Sequence, residues 1–245
     1  MYDYANILFT GNACNLGCYG CIGENVELFG LPSNLSLFPI RNIDLLLKKV
    51  NQYKIPDLAF TATNTDPQLY QHERELINYV RQNLENKTKL SLHTNGLLAL
   101  QKIDEFNSYD KVSVSFHSFN RETYMLMTRT GRQPDLAAII KASKVPIKLS
   151  MLITEHNQNE IEEYIQKASD LGIRRLAIRK PKGREEEFPL EIQPPFSNFD
   201  PIYRIFSWPV YRIFGVETTI CGFDKSTANG LFLFSDGRLE DYLVR

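Results

Sequence analysis

Short apolar runs and helix-spaced apolar stripes alternate along the first three-quarters of the chain. Ile7-Leu8-Phe9 has the character of a buried strand, and Ile43, Leu46, Leu47 and Val50 then recur at the spacing of an amphipathic helix. Asn42 or Asp44 is placed to cap that helix. Leu58-Ala59-Phe60 predicts a second strand, residues 71–84 a helix, and 90–93 a third strand. Residues 112–116, 148–153 and 176–178 predict three more strands, with a helix over 159–171 between the last two. Strands separated by helices argue for a parallel α/β sheet, because parallel neighbours need a crossover connection. Six such units suggest an open barrel whose post-strand loops share one cavity. Periodicity alone leaves a doubly wound sheet equally open.

From residue 183 the pattern changes. Glu185-Glu186-Glu187 and the prolines at 189, 194, 195 and 201 predict an extended connection. The run from Gly230 to Leu239 predicts a hairpin turning at Ser235-Asp236-Gly237. The expected organisation is a core over residues 1–184 and a C-terminal extension over 185–245 packed on it.

Composition narrows the class. With 245 residues and 43% hydrophobic content the chain can bury a full core. A net charge of −1 gives no whole-protein electrostatic case for nucleic acid or membrane, and no apolar run reaches spanning length. The N-terminus lacks the order of a signal peptide. Unpartnered cysteines fit a reducing compartment, so a cytoplasmic location is expected.

The chemistry concentrates in Cys14-Asn15-Leu16-Gly17-Cys18-Tyr19-Gly20-Cys21, just past the first strand. Three thiolates at that spacing suit a soft metal or an iron–sulfur cluster. A zinc site normally takes a fourth Cys or a nearby His, and the nearest His is His72. Three ligands on a four-iron cluster leave one iron open.

The C-x3-C-x2-C loop after a first strand resembles the signature of the radical S-adenosylmethionine (SAM) superfamily. That resemblance covers roughly residues 5–182. It implies an α/β partial (β/α)6 TIM-like barrel and a [4Fe–4S] cluster on Cys14, Cys18 and Cys21. It also implies reductive cleavage of SAM to a 5′-deoxyadenosyl radical that abstracts hydrogen from a substrate. A reductant such as flavodoxin or ferredoxin is the expected partner, and the substrate is left as a nucleotide, small molecule or peptide. The family usually has an aromatic residue before the third cysteine, where this chain has Gly20. Backbone atoms at Gly20, or the Tyr19 ring, then take the adenine contact.

Asn64-Thr65-Asp66-Pro67 stands where the family holds the SAM amino group, which puts Asp66 in the carboxylate position. From the residues alone, Asn64-Thr65-Asp66-Pro67 turns the chain and Asp66 caps the following helix. Thr94-Asn95-Gly96 resembles the family's rim turn and brings Asn95 or His93 towards the ligand. Ser115 and His117, two apart on the fourth strand, share one face, and the family uses such a position for the SAM ribose or carboxylate. Ser150, Thr154 and Asn157 match ribose-contacting positions, and Arg179 matches a partner for the SAM carboxylate. The basic run from Arg174 to Arg184 has two readings, a solvated face or a site for an anionic substrate. Cys221 alone cannot build a second all-cysteine cluster, and reads as a small buried hydrophobe. Two other functional classes stay open, a glycyl-radical activase and a non-catalytic iron–sulfur protein.

Overall fold

The computed structural model describes residues 2–24, 28, 30–85, 87–222 and 226–241. Strand β1 (Tyr4–Phe9) is followed by helix α1 (Ile43–Tyr53), then β2 (Asp57–Ala62), α2 (Glu73–Asn83), β3 (Lys89–Thr94) and α3 (Ile103–Phe106). Next come β4 (Lys111–Ser115), α4 (Arg121–Thr128), α5 (Leu136–Ala142), β5 (Ile147–Leu152), α6 (Ile161–Asp170) and β6 (Arg175–Arg179). The remaining strands are β7 (Tyr203–Ile205), β8 (Trp208–Ile213), β9 (Val216–Cys221), β10 (Gly230–Leu233) and β11 (Leu239–Glu240).

One sheet holds them all in the order β11-β10-β1-β2-β3-β4-β5-β6-β9-β8-β7. Strands β1 to β6 are parallel neighbours in sequence order, as crossover helices require. They form a partial (β/α)6 TIM-like barrel. Residues beyond 184 join the same sheet at both edges: β10 pairs parallel to β1, and β9 parallel to β6. Two antiparallel hairpins, β10–β11 and β7–β8, finish the edges, the first turning through Asp236 and Gly237. Strands β9 and β10 do not pair with each other, so the barrel stays open on that side.

Each core strand has two different faces. Ile7 and Phe9, Leu58 and Phe60, Leu90 and Leu92, Val112 and Val114, Leu149 and Met151 pack outward under the helices. At ~1.5–3 kcal/mol per fully buried aliphatic or aromatic side chain, this layer supplies the main stabilisation. The stripe Ile43, Leu46, Leu47, Val50 of α1 is buried against it, as the spacing predicts. Neither expected cap of α1 operates. Asn42 is left-handed (φ 60°) and its Nδ2 donates 2.9 Å to the carbonyl of Gly237, while Asp44 accepts the Tyr79 hydroxyl. The helix start is docked on the β10–β11 turn, and the amide serves that contact instead. Among the described residues no helix is long and apolar enough to cross a membrane.

Candidate functional site

Parallel strands end at a common rim, and the loops after β1, β2, β3 and β5 meet there. The cysteine loop is held from two sides. The backbone N–H groups of Gly17 and Tyr19 donate to the carbonyls of Thr128 and Met127 at 3.0 and 2.7 Å, using acceptors that the end of α4 leaves unpaired. On the side of the neighbouring strand β2, Asn64 and Gly11 bond reciprocally: Gly11 N–H donates to Asn64 Oδ1 at 3.0 Å, and Asn64 Nδ2 donates to the Gly11 carbonyl at 2.8 Å. Thr65 Oγ1 donates 3.1 Å to the Ala13 carbonyl. Residue 23 must be glycine for this approach, since a Cβ there would lie 2.7 Å from the Asn64 Cα and the Thr63 carbonyl.

Cys14, Cys18 and Cys21 are all half-buried at this rim. Burial pushes the three thiols up, Cys18 to about 12 with Cys21 and Cys14 adding to the effect. The opposing pull comes from backbone N–H groups, that of Leu16 on Cys14 and that of Gly23 on Cys21. Three thiolates are therefore favourable only beside a strongly cationic centre, which iron provides. Among the described residues no three His, Cys, Asp or Glu side chains converge to hold a single metal ion. Three thiol donors fit a four-iron cluster with one open iron.

Asp66 follows β2 and is only 3% exposed. Its carboxylate accepts the N–H of Gln68 (2.9 Å), the N–H of Asn95 (2.7 Å) and the hydroxyl of Thr94 (2.9 and 3.0 Å). Burial raises its pKa, and those donors oppose the rise. The carboxylate thus caps the turn at 67–69 and ties it to the loop after β3. Asn95 extends the chain of contacts: its Nδ2 lies 2.7 Å from Asn15 Oδ1 and 3.8 Å from Cys14 Sγ. A cavity of ≈ 700 Å³ opens alongside, lined by Asn15, Leu97, Arg121, Arg132 and Gln133 among others.

The remaining expected residues divide into two groups. Gly20 is exposed and left-handed (φ +66°), and the Tyr19 hydroxyl donates to Glu155 at 3.1 Å, turning that ring towards the loop after β5. Thr154 and Asn157 are fully buried braces, with Asn157 Nδ2 donating to the carbonyls of His117 and Leu152 at 2.9 Å. His117 Nδ1 accepts the Leu152 N–H at 3.2 Å, and burial lowers its pKa to about 4, so the ring is neutral.

Ser115, Ser150 and Arg179 instead face the lumen, the side of each strand turned away from the helices. Arg179 Nε donates 3.0 Å to Ser150 Oγ. His93, Lys148 and Cys221 share that side. Burial drives His93 well below its ordinary value, with Lys148 and Arg179 adding to it, and brings Lys148 down to about 8. Cys221 stands level with Arg179 in the β6–β9 register. On β1 and the chain from β10, Leu8, Phe232 and Phe234 form a separate apolar cluster with Leu28. Neither Lys148 nor the lumen position of Cys221 is marked by a motif in the sequence. The signal was the period-two alternation of Lys111-Val112-Ser113-Val114-Ser115 and of Ile147-Lys148-Leu149-Ser150-Met151. Parallel strands covered on both faces read as continuous apolar runs, so alternation marks a polar interior.

Comparison with known proteins agrees with this geometry. The sequence model of the Radical SAM superfamily matches residues 8–168. The chain is 24% identical over 218 residues to an uncharacterized protein of Methanocaldococcus jannaschii, covering 84% of this chain and 72% of that one. It is 27% identical over 175 residues to a probable GTP 3′,8-cyclase of Sulfurisphaera tokodaii, covering 68% of this chain and 52% of the relative. The match thus spans about half the length of that cyclase. Among solved structures, Streptococcus suis SuiB bound to S-adenosylmethionine superposes with a TM-score of 0.67 at 11% identity, over 99% of this chain and 60% of that one. That likeness is one of fold. Superfamily members are enzymes whose cofactors are a [4Fe–4S] cluster and SAM. The match runs from the first strand and its cysteine loop through to the helix before β6, and on that extent the chain belongs to the radical SAM superfamily.

Proposed function

We propose that this chain is a radical SAM enzyme whose cluster is held by Cys14, Cys18 and Cys21 and whose substrate enters the barrel lumen. The observation that carries the reading is the clamped cysteine loop at the C-terminal rim of a parallel barrel with a polar interior. When bound, the cluster supplies the electron for reductive cleavage of SAM, and SAM supplies the 5′-deoxyadenosyl radical that takes a hydrogen atom from the substrate.

The protein's own part is placement. Asn64 and Thr65 fix the cysteine loop to β2, and Asp66 with Asn95 fixes the next loop against it. Asn95 Nδ2 and the Gly20 backbone are polar groups beside the thiols, suited to the methionine and adenine ends of SAM. Ser115 and Ser150 line the lumen below that position, and the apolar wall of Leu8, Phe232 and Phe234 limits water around the reacting carbon. A protein reductant of the flavodoxin or ferredoxin kind delivers the electron at the exposed side of the loop.

The direct test is anaerobic reconstitution with iron and sulfide, then addition of dithionite and SAM, with 5′-deoxyadenosine measured by mass spectrometry. The nucleoside is expected to form, and to vanish in Cys18→Ala. A four-iron cluster without any deoxyadenosine points to an activase that needs its partner protein or to a non-catalytic iron–sulfur protein. Absence of a cluster overturns the assignment.

A further inference from the structure

We propose that the lumen binds a phosphate-class anion of the substrate on Lys148 and Arg179, with His93 beside them. This rests on the reading that the lumen is the substrate chamber. Lys148 and Ser150 are two apart on β5 and face inward together. Arg179, at the end of β6, turns back so that its Nε donates to Ser150 Oγ at 3.0 Å, which holds the guanidinium beside the inward face of β5. Lys148, Arg179 and Lys111 all act on His93 in the same direction, and Lys148 and Arg179 both act on Cys221. These side chains therefore share one electrostatic compartment.

What distinguishes the two central cations is their lack of counter-charge. At the opposite mouth Lys111 pairs with Asp57 at 2.5 Å, and Glu217 takes Arg212 at 3.0 Å and Arg175 at 3.6 Å. At the rim Lys180 pairs with Glu191 at 2.7 Å. Among the described residues neither Lys148 nor Arg179 has a carboxylate partner. Two half-buried cations on one wall repel each other and lose hydration, a cost that folds retain where a ligand offsets it. A dianion answers both charges. The ammonium offers three donors, the guanidinium a planar fork, and Ser113 and Ser115 add hydroxyls on the neighbouring strand. The separate apolar cluster of Leu8, Phe232 and Phe234 suits the uncharged part of the same molecule.

The two cations differ in depth: Arg179 stands level with Leu152 at the end of β5 and reaches down to Ser150. Lys148 lies four residues before the end of β5, ~13 Å down the lumen at about 3.3 Å per residue. The thiols sit at the rim.

Anaerobic calorimetric titration of the reconstituted protein with sodium phosphate, sodium pyrophosphate and, separately, SAM tests the proposal. One phosphate or pyrophosphate is expected per chain with a dissociation constant on the order of 1 mM or tighter, weakened at least about tenfold by Lys148→Met and by Arg179→Gln. Lys148→Arg should bind phosphate, and Lys148→Met should bind SAM like the wild type. The conservative variant answers the question if Lys148→Met does not fold. The proposal is overturned if neither anion binds, if Lys148→Met binds phosphate equally well, or if SAM displaces phosphate and loses affinity in Lys148→Met, which makes the pocket the SAM carboxylate site. Anion binding does not need the cluster. Phosphate bound by a chain that assembles no cluster therefore refutes the enzymatic reading alone, and a cluster without phosphate binding refutes the anion site alone.

Discussion

The carboxylate of Asp66 accepts the backbone N–H of Asn95 at 2.7 Å, joining the loop after β2 to the loop after β3. With Gln68 N–H and the Thr94 hydroxyl on the same group, Asp66 is a structural tie at the rim as well as a carboxylate beside the cysteine loop. Asp66→Ala leaves those buried donors unpaired, and a loss of about 2–4 kcal/mol in unfolding free energy is expected from denaturant titration. SAM affinity should fall with it, because Asn95 is no longer held. A variant as stable as the wild type would show that the tie contributes little.

The reciprocal pair of Asn64 and Gly11 anchors the cysteine loop. Asn64→Ala removes both bonds, at about 0.5–1.5 kcal/mol each. The fold should survive, while iron and sulfide retained after reconstitution and desalting drop below the wild-type level. Full retention of iron would mean that the contacts to the end of α4 suffice.

The four cysteines should separate cleanly. Cys14→Ala, Cys18→Ala and Cys21→Ala are each expected to abolish the four-iron cluster. Cys221→Ser, facing the lumen beside Arg179, should leave iron content unchanged. Loss of iron in Cys221→Ser would require a different ligand set.

Stability should fall on acidification from about pH 6.5 towards about pH 4. In the folded chain burial holds His117 at about 4, and its Nδ1 accepts the Leu152 N–H, whereas the unfolded chain takes up that proton near 6.5. The unfolded state therefore binds more protons across this window, and the native state loses ground as pH falls. At 1.36 kcal/mol per pH unit the full effect of His117 is about 3 kcal/mol. His93, also lowered, acts in the same direction. Thermal melts at stepped pH check this, and a flatter profile is expected for His117→Gln. An unchanged slope in that variant would remove His117 as the cause.

Much of this protein is legible in its residues. Helix and strand periods are local properties, so the order of the six βα units follows from the spacing of residues such as Leu46, Leu47 and Val50 and from runs such as Leu58-Ala59-Phe60. The cysteine spacing is local too, and it points to an iron–sulfur centre before any fold is known. The partners of a polar side chain are another matter. Asn42 is equipped to cap a helix by sequence, yet its amide is drawn to Gly237, almost two hundred residues away. Asp66 reads as a cap of the following helix, yet it caps the short turn at 67–69, and its bonds to Thr94 and Asn95 exist only once β2 and β3 lie side by side.

The chain's sequence by itself determined the alternation of elements, the parallel α/β class and the spacing of the three cysteines, because each depends on residues a few positions apart. Only the tertiary structure decided that β9 and β10 extend the two edges of one sheet, and that Lys148, Arg179, His93 and Cys221 face a common interior. Strand pairing is fixed by hydrogen bonds between distant segments. The charge met by a side chain is fixed by whichever strands curve to face it. Neither has a local period for a sequence to display.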